Sequence, residues 1–221
     1  MRLLALDTSS AAITAAVHDG TSVLAQATEL GAQSHGELLA PTIARVLRDG
    51  GVPVSDLTHV VVGVGPGPFT GLRVGIVTAR VMAEALGIPA YGVCSLDALA
   101  AEAVATGEVD GPFTVATDAR RKEVYVAAYD AQGSRVGEPA VVRPSDVDPG
   151  AAGGPVVGAG AWLYPDVFTD PREPRLVSAG WLATYAVGRL AVGEALLDTT
   201  PLYLRRPDAV ESAGRKRVTQ P

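Results

Sequence analysis

The sequence predicts an α/β fold around a mixed β-sheet, and part of that fold is predicted to occur twice. Three short apolar runs come first, and helix-like and strand-like segments alternate after them, as in helices layered on a sheet. A shift of 111 residues superposes four pairs of identical residues: Ala5 and Ala116, Asp7 and Asp118, Ala16 and Ala127, and Asp19 and Asp130. This shared strand–Asp–turn–strand–Asp pattern favours an internal duplication.

The first half of the chain combines a strand meander with helices and further strands. Apolar or alternating runs predict strands at Leu3–Leu6, Ile13–His18, Ser22–Thr28, His59–Val64 and Ala90–Val93. Helices are predicted at Ser34–Asp49, Thr70–Leu86 and Ser95–Ala105. Ser34 and Glu37 have the spacing of a capping box, and Pro41 predicts a kink in the first helix. In the second half, a helix is predicted at Ser178–Val192.

The composition indicates a globular protein and argues against several other classes. Hydrophobic residues make up 48% of the 221 positions, so the chain can bury a sizeable core. A formal charge of −6 argues against a protein that binds nucleic acid on its own. Cys94 is the single cysteine, which excludes an intramolecular disulfide and a Cys-rich zinc site. Asp7 interrupts the apolar start, so we expect no signal peptide, no membrane span and a cytoplasmic location.

Asp7, Thr8, Ser9 and Ser10 form the first candidate site, because an acid and three hydroxyl residues follow an apolar strand. Their hydroxyl groups and turn amides can donate hydrogen bonds to a phosphate, and the carboxylate can position a metal ion or water. The alternative is an Asx-type turn that only closes the hairpin. The pattern alone leaves both interpretations open.

A glycine-bearing loop, Gly65-Pro66-Gly67-Pro68-Phe69, leads into the helix predicted from Thr70. Such a loop can present N–H groups and the positive end of a helix dipole to an anion, so Gly65, Gly67 and Thr70 are candidate contacts. A rigid structural turn is the alternative, because proline lacks an N–H and no Gly-Lys-Ser/Thr follows. One face of the helix carries four small residues that favour close packing against its own sheet or a partner: Gly71, Gly75, Ala79 and Ala83.

No group of residues in the sequence indicates a catalytic or metal site. The three histidines lack the spacing of a metal-binding pair, and Cys94 follows an apolar strand, where a buried thiol is the usual case. Arg120, Arg121 and Lys122 follow Asp118, so this turn lacks the glycines of a second phosphate loop. The last seventeen residues hold five of the 18 cations, which is typical of a solvated end or of a nucleic-acid contact.

Several motifs resemble those of the TsaB (YeaZ) family. They are Leu4-Ala-Leu-Asp-Thr-Ser9, Gly65-Pro-Gly-Pro-Phe-Thr-Gly-Leu-Arg73, Gly92-Val-Cys-Ser-Leu-Asp97, Asp118-Ala-Arg120 with Glu123-Val-Tyr125, and Pro201-Leu-Tyr-Leu-Arg205. The resemblance therefore extends from the first strand to about Arg205. Pro68 and Lys122 depart from the family, which usually has Ser and Gly there, and Pro68 removes a side chain that could bind phosphate.

The resemblance implies an actin-like fold of the sugar-kinase and Hsp70 superfamily, with two ribonuclease-H-like subdomains of which the second is reduced. The first subdomain is expected at residues 1–105, joined by a carboxy-terminal segment near 199–210. The second is expected at 106–198, and residues 207–221 are expected to form a flexible basic tail.

The resemblance also implies a role in forming N6-threonylcarbamoyladenosine (t6A) at position 37 of tRNAs that read codons beginning with A. In that role the chain is a non-catalytic homologue of TsaD that binds and organises TsaD together with the ATPase TsaE, and it meets tRNA only through the complex. TsaD proteins hold a metal with His-x-x-x-His, and the matching positions here are Ser95 and Leu99, so no metal is expected. No tightly bound cofactor is expected, and a weak or interface ATP or ADP stays open.

By the family's pattern, the helices at Ser34–Asp49 and Thr70–Leu86 form a surface that pairs with TsaD or, without TsaD, with a second copy of the chain. The side chains expected on it are Leu39, Ile43, Val46, Gly71, Gly75, Ala79, Met82 and Ala83. The main alternative function is an ATP-dependent phosphotransferase that uses Asp7 and the glycine loop. A metallopeptidase and a stand-alone RNA-binding module are weaker alternatives, because metal ligands and a basic surplus are both lacking.

Overall fold

Two five-stranded mixed sheets organise the chain in the computed structural model, which describes residues 1–31 and 35–205. The first sheet contains β1 (Leu3–Asp7), β2 (Ala12–His18), β3 (Val23–Leu30), β4 (His59–Gly63) and β5 (Ala90–Val93), in the spatial order β3-β2-β1-β4-β5. The second contains β6 (Phe113–Asp118), β7 (Val124–Tyr129), β8 (Arg135–Val142), β9 (Pro155–Val157) and β10 (Asp170–Arg172), in the order β10-β9-β6-β7-β8. All strands predicted in the first half are confirmed, with ends shifted by at most two residues.

The two sheets have the same connectivity, which confirms the predicted duplication. In each sheet the first strand pairs antiparallel with the second strand and parallel with the fourth. The opposed residues are Ala5 and Ala16 in the first hairpin, and Val115 and Ala127 in the second. A uniform shift of 111 residues therefore holds for only one strand of the hairpin, because Asp118 and its opposed residue Val124 are one residue closer in sequence than Asp7 and Thr14. The register differs because it depends on the turn that joins the two strands.

The described residues form six α-helices: α1 (His35–Asp49), α2 (Phe69–Leu86), α3 (Ser95–Ala105), α4 (Pro149–Gly153), α5 (Ala159–Leu163) and α6 (Ala179–Ala191). Each helix predicted from the sequence is present to within one residue, and α1 continues through Pro41. Ser34, the predicted capping residue, lies outside the described residues, as does the predicted tail at 207–221. α4 and α5 have five residues each, where α1 and α2 have 15 and 18, so the second half is reduced.

α3 and α6 each cross to the sheet of the other half. α3 follows β5 but packs against β6 and β9, whereas α6 follows β10 but packs against β1, β2, β3 and β4. Both sheets and both helices contribute to one shared apolar core, in which Ala5, Leu99, Val115 and Leu182 are fully buried. Burying one such leucine contributes about 1.5–3 kcal/mol relative to leaving it exposed. The division into subdomains at residues 105 and 198 remains a prediction. The shared core contains side chains from both of these predicted subdomains.

A second apolar core lies on the opposite face of the first sheet, under α1 and α2. Leu4 and Leu6 face it from β1, as the two-residue period of a strand requires. β2 and β4 contribute further side chains, and one face of each helix supplies others, which include Leu39, Ile43, Val46, Leu72, Ile76, Ala79 and Ala83. α1 and α2 therefore present only their other faces to solvent. Among the residues described, no helix is long and apolar enough to cross a membrane.

Candidate functional site

Asp7 lies at the end of β1, fully buried, and both of its carboxylate oxygens accept hydrogen bonds from the protein. Oδ1 accepts from the backbone N of Ser9 at 2.8 Å and from its Oγ at 2.7 Å, while Oδ2 accepts from Ser95 Oγ at 2.6 Å. Burial raises the pKa of Asp7, and the bonds from Ser95 and Ser9 act in the opposite direction. The geometry is that of an Asx turn whose acid also holds the first residue of α3.

Thr8 joins the same turn to α2. Its Oγ1 donates to the backbone O of Gly71 at 2.8 Å and accepts from the backbone N of Gly75 at 3.1 Å. A Cβ atom at Gly71 or at Gly75 would collide with Thr8. Gly71 and Gly75 are therefore required by the packing of the β1–β2 turn within the chain itself.

The glycine-bearing loop before α2 also makes its contacts within the chain. Gly65 donates its N–H to Ser95 Oγ at 3.2 Å, and its carbonyl accepts from the N–H of Ser95 at 2.8 Å. A Cβ at Gly67 would collide with the backbone of Ser9, and the carbonyl of Gly67 accepts from Tyr125 Oη at 3.3 Å. These contacts favour the rigid structural turn over a phosphate-binding loop.

Two cavities adjoin the β1–β2 turn. The smaller, of about 130 Å³, lies between the sheets, and its lining includes Ser9, Ser10, Thr117, Asp118 and Arg120. Pockets that hold drug-sized ligands measure about 300–1,000 Å³, so this cavity is smaller than those pockets. The larger, of about 620 Å³, lies where α1 and α2 begin, and its lining includes Ser10, His35, Thr70, Gly71 and Arg120.

Of the seven anion contacts predicted from the sequence, Ser9, Ser10 and Thr70 line a cavity. His35 and Arg120, which the sequence analysis did not select, lie beside Ser10 and Thr70 in the larger one. The cationic run after Asp118 was a signal for Arg120, but nothing in the sequence connects His35 with Ser10. The protein already engages both side chains, because His35 Nε2 lies 2.9 Å from the carbonyl O of Ser10 and Arg120 pairs with a carboxylate.

The turn between β6 and β7 has an unusual backbone. Arg120, Arg121 and Lys122 have φ angles of 60°, 55° and 62°, which lie in the left-handed region that costs roughly 1–2 kcal/mol per residue without glycine. Asp118 Oδ1 accepts from the N–H of Arg120 at 2.7 Å, and its Oδ2 lies 3.3 Å from the Arg120 guanidinium. The turn thus carries three exposed cationic residues at the place where a second phosphate loop would have glycines.

Residues with metal-ligating or nucleophilic groups are not assembled into a reactive centre. Among the residues described, no group of three or more His, Cys, Asp or Glu side chains could hold a metal ion. Ser95 Oγ is shared between Asp7 and Gly65, and Leu99 is fully buried in the shared core. Burial also raises the pKa of the Cys94 thiol to about 12, so Cys94 is a thiol rather than a nucleophilic thiolate.

The predicted pairing surface needs correction, because almost all of its side chains face the protein's own interior. Seven are buried beneath α1 and α2, namely Leu39, Ile43, Val46, Gly71, Gly75, Ala79 and Ala83, and Met82 is half-buried against the same core. The spacing of the small residues identified one face of α2 but did not show which way it points. The exposed face instead carries Arg73, Val77, Arg80, Val81 and Glu84, with Val77 and Val81 55% and 62% exposed.

Comparison with known proteins gives three consistent matches. Residues 23–163 match the family model of TsaD, tRNA N6-adenosine threonylcarbamoyltransferase. The tRNA threonylcarbamoyladenosine biosynthesis protein TsaB of Escherichia coli is 33% identical over 223 residues, covering 93% of this chain and 95% of that protein. An uncharacterized protein of Mycobacterium tuberculosis is 43% identical over 211 residues, covering 94% of this chain and 93% of the relative.

Among solved structures, YeaZ from Pseudomonas aeruginosa matches with a TM-score of 0.78 and 31% identity, covering 92% of this chain and 99% of that one. Together with the two sheets of identical connectivity, this match confirms the actin-like fold with a reduced second half. The motifs at Leu4–Ser9 and Gly65–Arg73 now have structural reasons, because they build the turn and loop around Asp7. The chain belongs to the TsaB (YeaZ) family.

Proposed function

We propose that this chain is a non-catalytic subunit needed for t6A formation at position 37 of tRNAs that read codons beginning with A. It acts by binding TsaD and, with TsaE, organising TsaD for transfer of the threonylcarbamoyl group to tRNA. The Escherichia coli relative is named a tRNA threonylcarbamoyladenosine biosynthesis protein, which supports participation in this pathway.

The observation that carries the proposal is that the polar groups of Asp7 and Ser95, at the centre of the fold, are used within the chain. Both carboxylate oxygens of Asp7 are bonded within the chain, and the Ser95 hydroxyl donates to one of them. Ser95 and Leu99 occupy the positions at which TsaD proteins have metal-binding histidines. The Ser95 hydroxyl is already bonded to the buried acid Asp7, and the Leu99 side chain is apolar. Neither residue can therefore serve as a metal ligand or a general base.

The surface that we assign to pairing is the exposed side of α1 and α2. Val77 and Val81 lie one turn apart on α2, flanked by Arg73, Arg80 and Glu84. Exposed valines at this spacing form an apolar stripe with a charged border, the pattern expected of the centre and rim of a protein–protein interface. The same side serves for self-association when TsaD is absent, so the homodimer and the heterodimer exclude each other.

A tightly bound nucleotide has no part in this proposal, because the cavity between the sheets is smaller than the pockets that hold drug-sized ligands. A nucleotide held between this chain and TsaD remains part of it, since the larger cavity opens where α1 and α2 begin, beside the proposed pairing side. Contact with tRNA is assigned to the assembled complex rather than to this chain alone.

The test is transfer of the threonylcarbamoyl group from threonylcarbamoyl-adenylate to tRNA in a system reconstituted from TsaD, TsaE and this chain. We expect modification when all three proteins are present, far less when this chain is omitted, and none with this chain alone. Equal modification without the chain contradicts the proposal. ATP turnover by the isolated chain that is lost in Asp7→Asn would instead favour the phosphotransferase.

A further inference from the structure

The segment at residues 197–205, here called the strap, connects structures that are far apart in the sequence. It begins beside β5, where Leu197 and Gly92 exchange backbone hydrogen bonds of 2.8 and 3.1 Å. Further on, the N–H of Leu202 donates to the carbonyl O of Val64 at 2.8 Å, and the Leu202 side chain packs against both cores of the first sheet. The strap is therefore anchored along the first sheet.

Two arginines on the exposed face of α2 hold the strap from the side. Arg80 donates from Nε to Thr199 Oγ1 at 2.6 Å and from an Nη atom to the Thr199 carbonyl at 2.8 Å. Arg73 donates from Nε to Tyr203 Oη at 3.2 Å and lies 3.7 Å above the ring of Phe69, which in turn packs against Tyr203. The side chains that hold the strap thus belong to the surface assigned above to pairing.

The far end of the strap reaches the second sheet. Arg205 donates to the carbonyl O of Ala119 at 3.1 Å and forms an ion pair with Glu123. Ala119 and Glu123 are the two ends of the left-handed turn, and the N–H of Ala119 donates to the Glu123 carbonyl at 3.0 Å. One guanidinium therefore clamps both ends of a turn whose backbone is strained.

We propose that the strap couples the exposed face of α2 to the β6–β7 turn, so that loosening the strap at α2 loosens the turn. A partner that covers α2 excludes water from the bonds of Arg73 and Arg80 and strengthens them, since hydrogen bonds are stronger where water is excluded. The strap then holds Arg205, and with it the turn, more firmly. This second step rests on the proposed pairing with TsaD, whereas the first belongs to the isolated chain.

The coupling is tested by hydrogen–deuterium exchange of the Ala119 and Glu123 amides in the isolated chain. Arg205→Ala, which removes the clamp itself, is expected to speed their exchange roughly tenfold, the loss of one charge-assisted hydrogen bond. Arg80→Ala should speed the same amides several-fold, although Arg80 contacts only the strap. Glu84→Ala, on the same face of α2, is the control and should leave the exchange of both amides in the isolated chain unchanged. If Arg205→Ala does not fold, Glu123→Gln removes the same ion pair.

Unchanged exchange at the turn in Arg80→Ala overturns the coupling, whatever TsaD does. The second step is tested by adding TsaD, which should slow the turn amides in the wild type and not in Arg80→Ala. If TsaD binds and those amides exchange as before, the second step is wrong and the proposed function is unaffected. If TsaD does not bind at all, the proposed function fails, while the exchange of the isolated variants still decides the coupling.

Discussion

Ser95 donates its hydroxyl hydrogen to Asp7 Oδ2 across 2.6 Å, and so joins the start of α3 to the end of β1. The same hydroxyl oxygen accepts from the N–H of Gly65 at 3.2 Å, which brings in the loop before α2. The Ser95 hydroxyl is thus a structural link among three elements in this chain.

The first prediction follows from that link. Ser95→Ala leaves one oxygen of a buried carboxylate without a donor, so we expect the free energy of unfolding to fall by about 1–3 kcal/mol. Ser55→Ala is the matched control, since Ser55 is exposed, and should change the free energy by less than about 0.5 kcal/mol. Urea denaturation of the three proteins measures both values, and equal stability would show that the link contributes nothing.

The second prediction compares two glycines that lie inside helices. Gly75→Ala places a Cβ against Thr8 and should destabilise the protein by about 1–3 kcal/mol through overpacking. In Gly188→Ala, in α6, the added Cβ atom points into open space. This substitution should stabilise the protein by roughly 0.5–1 kcal/mol, because glycine is the poorer helix former. Thermal denaturation gives the sign of each change. A tolerated alanine at Gly75 contradicts the packing described for α2.

The third prediction locates the pairing surface. Val81→Asp places a charge in the exposed stripe of α2, so the affinity for TsaD should fall by about 2 kcal/mol or more, which is roughly thirtyfold. Isothermal titration calorimetry measures the affinity, and circular dichroism checks that the variant folds. Val136→Asp introduces the same charge at an exposed valine of β8, in the second sheet, and its affinity should match the wild type. Equal loss in both variants would place the interface elsewhere.

The fourth prediction concerns the dependence of stability on pH. Burial, and secondarily the negative charge of Glu173, raise the pKa of Glu102 to about 7. The folded chain then binds this proton more tightly than the unfolded chain does, so the stabilisation is complete below about pH 4.5 and is lost as the pH rises through 7. The side chain is only half-buried, so the effect should be about 1 kcal/mol after allowance for solvent screening.

Glu102→Gln should remove this dependence. The free energy of unfolding of Glu102→Gln, relative to that of the wild type, should therefore rise between pH 4 and pH 8. Denaturation curves across that range give the difference, and exposed Glu84→Gln should follow the wild type throughout. A constant difference between Glu102→Gln and the wild type would mean that the Glu102 pKa is not raised.

Local patterns in the sequence were sufficient for the elements of the first half, for α6 and for the duplication. The β-branched run from His59 and the apolar period of α1 lie within single segments, and both elements occur where predicted. The side of α2 that faces solvent was not predictable in this way. Gly71 and Gly75 must be small because Thr8, more than sixty residues earlier in the chain, packs against them. Whether a small-residue face meets its own sheet or a partner depends on tertiary packing.

The surroundings of Asp7 were predicted only in part, for a related reason. The acid and the hydroxyl residues after it were identified from the sequence, but the partner that decides their role, Ser95, lies 88 residues away. His35 and Arg120 meet near Ser10 only because α1 and the β6–β7 turn converge there. Side chains that come together from three elements leave no periodic signal in the sequence.

The exchange of α3 and α6 between the two sheets has a consequence during translation. When residue 105 has been synthesised, Leu96 and Leu99 of α3 lack the β6 and β9 surface against which α3 packs, because those strands do not yet exist. The inner face of the first sheet likewise stays uncovered until α6, whose last residue is Ala191, has been synthesised. The nascent first half therefore exposes apolar surface until nearly the whole chain has left the ribosome, and a fragment cut at residue 105 should aggregate rather than fold.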